Sequence, residues 1–242
     1  MGILEERLWG LARRHAEGRR VLEVVRGVRY TAALLEGGRL GLSYSYARAA
    51  ARGESCMPLL MGLPVEAEAL LDLSTSEHLG DRAVALAVAN GVLPVEGELS
   101  DAMPPVESGE EVLLVGFMEP LARRLREKGV RVFTLDDQEK QGIPLDRGLE
   151  LAVRVDRVVL TASAIANRTW ERFVERAKDC WVVGPSTPLC WEVFADTSVS
   201  AVMGRSVKHA PELLKAVSRG AGTRLFDPFT DRVLLCAKRL CV

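Results

Sequence analysis

The order of apolar and polar residues divides the chain into two unlike parts. In the first, Leu4, Leu8, Leu11 and Ala12 recur at helical spacing and predict an amphipathic opening helix. "VRYTAALLEGGRLGLSYSYA" reads as a β-hairpin, with Gly37 and Gly38 supplying the positive φ angles of a tight turn between runs of strand formers. Ala and Leu return at helical spacing over residues 65–73 and again over about 76–90, which predicts two helices, the second capped by Gly91. This part is α+β. Residues 93–110, "LPVEGELSDAMPPVESGE", contain three prolines and many acids and follow neither period. They mark a linker, and the boundary falls between a unit at 1–105 and a unit at 106–242.

Beyond the linker, short apolar runs alternate with amphipathic segments. "EVLLVGF", "VRVFTLDD", "VDRVVLTAS", "CWVVGPS" and "SVSAVMG" have the composition of strands buried on both faces. Helical "MEPLARRLREKG", "RTWERFVERAKD", "PLCWEVFAD" and "APELLKAVSRG" separate them, and "DRVLLCAKRLCV" is a late strand-like run. Such repetition implies right-handed crossovers and a Rossmann-like, doubly wound parallel sheet.

Charge and composition narrow the function classes. With 33 acids against 32 Lys plus Arg, the chain has no global attraction to nucleic acid or to anionic membranes. It has no run of 18 apolar residues, and its charged N-terminus lacks the apolar segment of a signal peptide. The five cysteines are scattered without a C-x-x-C pair, which argues for a reducing cytoplasm and against a disulfide framework or structural zinc. The expected partner is a small-molecule or metal ligand; a homo-oligomer stays open.

Ligands of open parallel sheets bind beyond the carboxyl ends of the strands. That rule selects residues 116–120, Asp136 with Asp137, residues 161–169 and residues 184–188. The first has a single glycine where a dinucleotide fingerprint needs three, and Phe117 and Glu119 would crowd or repel a pyrophosphate, so a standard NAD mode is disfavoured. An ordinary turn with Glu119 and Pro120 in the first helical turn explains the same residues. Asp136 lies 20 residues beyond Gly116, the offset of a ribose-binding acid, and could equally ligate a hard cation or sit in a solvated turn. In "TASAIANRT", Thr161, Ser163, Asn167 and Thr169 exceed what one helix cap requires. In "VGPSTPLC", Ser186 or Thr187 can cap a helix begun by Pro188, whose free amides would attract an anion. A nucleophile elbow fails, because Pro188 stands where its second glycine belongs. His15, His78 and His209 form no i,i+4 pair. Cys190 is close enough to Ser186 to face the same crevice, although a lone cysteine there is more often core.

The segments "VLLVGFMEPLARRLREKGVRVFTLDD", "VVLTASAIANRTWERFVERA", "VVGPSTPL" and "GAGTRLF", in this order, resemble a prokaryotic Rossmann-like family of unknown function described as "putative heavy-metal chelation". In that family a small domain resembling the N-terminal domain of enolase comes first, and "GRLGLSYSY" and "ALAVANGVL" fit that layout. The resemblance implies a cleft between the two domains and a role in handling a metal or a metal-bearing, tetrapyrrole-like compound. By position it implies a ligand set of Gly116, Glu119, Thr161, Asn167, Gly184, Pro185, Ser186 and Pro188, with Tyr44, Ser45 and Asn90 from the first domain. Asp136 joins them from the strand-end rule. A metal would be held through Glu119, Asp136, Asn167 and Cys190, of which only Cys190 favours a soft ion. Two alternatives stay open: a Rossmann-type enzyme or nucleotide-like ligand binder with a methyltransferase-like site, and a binding or assembly module without chemistry.

Overall fold

In the opening helix α1 (Ile3–Ala16), Leu4, Leu8, Leu11 and Ala12 form the buried stripe that their spacing predicts. The computed structural model describes residues 2–47, 56–101, 103, 105–116, 118–136 and 141–237. Strands β1 (Arg20–Arg26), β2 (Tyr30–Leu35), β3 (Leu40–Tyr44) and β4 (Val65–Glu66) form an antiparallel sheet in the order β3-β2-β1-β4. Gly37 and Gly38 make the β2–β3 turn with φ of 80° and 79°. Helix α2 (Cys56–Met61), helix α3 (Ala67–Leu71) and helix α4 (Leu79–Val92) follow. The predicted helix at 65–73 begins two residues late, because Val65 and Glu66 pair with Val21 and Arg20. Gly91 is no cap. It lies inside α4, and Arg39 reaches the helix end instead, donating to the carbonyls of Gly91 and Leu93. Gly91 and Gly41 serve a close approach: a Cβ at Gly41 would overlap the Ala87 carbonyl oxygen, and one at Gly91 would overlap the Leu35 side chain.

The second sheet contains β5 (Glu98–Leu99), β6 (Glu111–Val115), β7 (Arg131–Asp136), β8 (Gln141–Gly142), β9 (Arg157–Thr161), β10 (Cys180–Val183), β11 (Val199–Val207) and β12 (Thr230–Cys236). Their order is β5-β12-β11-β10-β9-β6-β7-β8. The five central strands are parallel, while β12, β5 and β8 run antiparallel at the margins. Strand order reverses between β6 and β9. Helix α5 (Glu119–Glu127) packs on one face with Val112, Leu114, Val159, Trp181 and Ala201. On the other face, α6 (Leu145–Ala152) and α8 (Trp170–Val174) join Leu113, Val158, Leu160 and Val182 in a core that continues into α1 and α4 of the first unit. The short α7 (Ser163–Ala166) precedes α8.

Two departures from the sequence pattern shape the second unit. "PLCWEVFAD" forms only a 3₁₀ turn, Trp191–Val193. Glu96 from the linker bonds to this segment instead, its amide donating to the Leu189 carbonyl at 2.7 Å and its carboxylate accepting from the Trp191 amide at 2.7 Å. Helix α9 (Ala210–Ser218) leaves the parallel sheet and lays Leu213, Leu214 and Val217 on the first unit, against Ala32, Leu40 and Leu42.

The Gly41–α4 contact leaves no room for a methyl group, so Gly41→Ala forces helix and strand apart at a cost of about 1–3 kcal/mol. Chemical denaturation of the variant checks this; a loss below about 0.5 kcal/mol, the scale of ordinary surface changes, would refute the close approach.

Candidate functional site

At the carboxyl ends of the parallel strands, the chain first meets itself. Gly116, with φ of 102°, follows β6, and a Cβ there would overlap the methyl group of Thr161 at the end of β9. The loops on either side of the switch point therefore touch. Thr161 also shares a hydrogen bond with Ser163, at 3.2 Å. Asn167 turns inward on its own loop, where its Oδ1 accepts from the Thr169 amide at 3.1 Å and the Thr169 hydroxyl at 2.6 Å. That accounts for the surplus of polar side chains in "TASAIANRT": they close the turn ahead of α8.

The "VGPSTPLC" segment likewise bonds to protein. No α-helix follows Pro188, so the helix N-terminus expected to attract an anion is not formed. Gly184 turns the chain with φ of 121°, and the Thr187 hydroxyl donates to the carbonyls of Gly184 and Met203 at 2.7 and 3.1 Å. Ser186 is buried against the first unit, its Oγ accepting from the Tyr44 amide at 2.8 Å. Asn90 donates from Nδ2 to the carbonyls of Leu42 and Ser186, at 2.8 and 2.9 Å. Ser45 shares a hydrogen bond with Thr31, and the Tyr46 hydroxyl donates to the Ser163 carbonyl. Where Leu40–Leu42 faces Pro185–Leu189, a cavity of about 30 Å³ remains between the units.

The residues proposed for a metal do not converge. Glu119 is exposed on α5 and pairs with Arg126 at 3.8 Å. Asp136 is buried at the end of β7, and Cys190 is buried in the core, where burial raises its thiol pKa and keeps it protonated. Among the described residues no three His, Cys, Asp or Glu side chains are grouped so that they could hold a metal ion. Phe117, Asp137 and Cys241 lie outside the described residues.

Open space lies on the α5 face of the second sheet. Because α9 is diverted to the first unit, among the described residues no helix covers that face over β10, β11 and β12, and the linker covers it in part through Met103 and Val106. A groove of about 240 Å³ results, lined by Leu121 and Arg124 of α5, Val183, Gly184 and Pro185 at the end of β10, Met203, and Arg205 and Arg232. A second depression of about 410 Å³ shares Ser100, Asp101, Arg205 and Arg232 with it and adds Thr230, Asp227 and Asp231. Of the sequence candidates, Gly184 and Pro185 line this groove; its arginines were missed. The signal was "GRS" and "DRV" in two separate strands, which become neighbours only when β12 returns antiparallel beside β11.

The arginines have an unusual arrangement. Arg205 and Arg232 are direct partners in the β11–β12 ladder. Like charges placed opposite each other destabilise a strand pair. Asp227 offsets this by bonding Arg205 through one carboxylate oxygen and Arg232 through the other, and Asp101 lies 3.3 Å from Arg232. Chiefly through the hydrogen bond from Arg205, the Asp227 carboxyl is held below the ordinary aspartate range.

A doubly wound α/β sheet sharing its core with a small α+β unit defines the class: a two-unit Rossmann-like protein with a groove at its strand ends. Family models described as "Putative heavy-metal chelation" match residues 11–93 (DUF4213) and 99–236 (DUF364), and the chain belongs to this family. Its fold is that of a Pyrococcus horikoshii protein of unknown function from the DUF364 family, at TM-score 0.83 and 21% identity over 97% of this chain and 100% of the other. A Desulfitobacterium hafniense member of unknown function gives TM-score 0.76 and 19% identity over 95% and 98%. No curated protein matches the chain.

Two predictions follow from these contacts. Asn90→Ala removes both carbonyl contacts and leaves buried acceptors, so it costs about 1–3 kcal/mol, measurable as a lower denaturation midpoint. The depressed Asp227 pKa means that its ionised form stabilises the fold above the ordinary aspartate value and that this contribution is lost as pH falls through the folded value. Below about pH 4, thermal stability of the parent therefore falls more steeply than that of Asp227→Asn; parallel pH profiles would contradict this.

Proposed function

We propose that this protein holds a small organic molecule in the groove beside α5, and that any metal it handles arrives as that molecule's complex. The groove itself carries the reading: it sits at the carboxyl end of a central parallel strand, where such sheets hold ligands, and it has an apolar floor of Val183, Met203 and Leu121. Bare cations fit it poorly. Its walls present guanidinium groups, and the metal in the family description finds no convergent donor set among the described residues. A metal whose coordination is already filled by an organic chelator needs no such set. Of the sequence candidates, Gly184 and Pro185 are assigned to the ligand, while Ser186 and Asn90 are assigned to joining the two units. We place the protein in the cytoplasm, a compartment that its scattered cysteines without a C-x-x-C pair suit.

Isothermal titration of the full chain with metal salts, and separately with metal complexes of organic chelators such as metallated tetrapyrrole carboxylates, tests the reading. Saturable binding of a complex but not of its salt is the expected result. Leu121→Trp, which fills the groove from a partly exposed helix position, lowers that affinity about tenfold or more without unfolding the chain. Stoichiometric binding of bare metal, or binding of a complex indifferent to Leu121→Trp, would overturn it.

A further inference from the structure

Resting on the groove reading, we propose that the Arg205–Arg232 pair, with Arg124 facing it from α5, binds an oxyanion of the ligand, a carboxylate or phosphoryl group. Three observations converge. Facing arginines in one ladder repel each other, yet both point to the α5 side of the sheet, and the acids that meet them are exposed ones: Asp227, which bridges the two, and Asp101, which reaches Arg232 from the linker. The Arg205 side chain is 10% exposed and held in place by Asp227 and by the Thr230 hydroxyl at 3.1 Å, so its fork is positioned before a ligand arrives. Arg124 lines the same groove without a carboxylate partner among the described residues.

Guanidinium forks suit this ligand group. They present parallel N–H donors that match the paired oxygens of a carboxylate or phosphoryl group, which a point-like ammonium cannot do. The apolar floor excludes water from one side of the contact and strengthens it. The contacts of Arg232 to Asp227 at 3.4 Å and to Asp101 at 3.3 Å are long and solvent-exposed, so an incoming oxyanion competes with weak partners at that arginine. The Arg205 contact need not break. The apolar groove then takes the ligand's body while its anionic end lies toward the polar depression that shares Arg205 and Arg232.

The test uses the full chain at constant ionic strength, with citrate as the carboxylate probe, pyrophosphate as the phosphoryl probe, and chloride as the control. Binding is read by titration calorimetry and by shift of the thermal midpoint. At least one probe binds saturably and stabilises the chain where chloride does not, and the stronger probe identifies the oxyanion. Arg124→Gln and Arg232→Gln each weaken that binding about tenfold or more, while Arg176→Gln, on a surface remote from the groove's lining, does not. Arg124 makes no described contact that the fold needs, so its variant stays folded and keeps the test decisive. Equal effects of all three ions, or full affinity in both groove variants, would overturn the assignment. If Leu121→Trp still blocks an organic complex while the arginine variants bind it normally, the groove reading stands and the oxyanion assignment falls. If neither change affects binding, both fall.

Discussion

An edge strand with unpaired backbone groups cannot be buried until something satisfies them, and the structure depends on how the edge of β3 is closed. Asn90 takes the Leu42 carbonyl, and Ser186 accepts from the Tyr44 amide. One of these side chains belongs to α4, which already lies tight on β3 through Gly41 and Gly91; the other belongs to the loop after β10. The same two residues bond to each other through the Ser186 carbonyl. Closing the edge therefore also joins the units, and it requires the "GPST" turn to face the first unit rather than solvent.

That joint determines where a ligand can sit. With the first unit pressed against the ends of β9 and β10, little space is left between the units. Helix α9 completes the joint by covering the other face of the small sheet, and in doing so it leaves the α5 face of the large sheet without a helix over β10–β12 among the described residues. The open groove is thus a consequence of the packing that holds the units together. Its floor is apolar because it is the exposed continuation of a core layer, and its rim is charged because the last two strands run past that layer.

Much of this fold was legible in the chain. Hydrophobic period, short apolar runs and turn glycines placed α1, the β2–β3 hairpin, the parallel strands and α5. It failed where a long-range bond replaced a local one: "PLCWEVFAD" has a helical pattern, but Glu96 from the linker takes its backbone groups. The candidate site was less legible for a related reason. Ser186, Asn167 and Asn90 have the residue types of ligand contacts, and such residues are also what a chain uses to tie loops and edges. Their type alone does not separate the two uses. Only the positions of their partners do, and those partners lie up to 142 residues away in the chain.

The arginine pair shows the opposite case, a functional signal that residue type hides and pairing reveals. In the sequence, Arg205 and Arg232 are two of many surface-type cations. In the ladder they are opposed, which costs stability, while Lys208, just past the end of β11, meets Asp231 of β12 at 2.7 Å. These two strands thus bring an acid to a base close by, yet leave two guanidinium groups side by side at the mouth of the groove. Asp227 and Asp101 make that arrangement tolerable, but both acids are largely exposed, and a third cation, Arg124, lines the same groove. A local rule broken beside an open groove, with an incomplete compensation supplied by a half-exposed loop, is the pattern of a site that expects its remaining negative charge from outside.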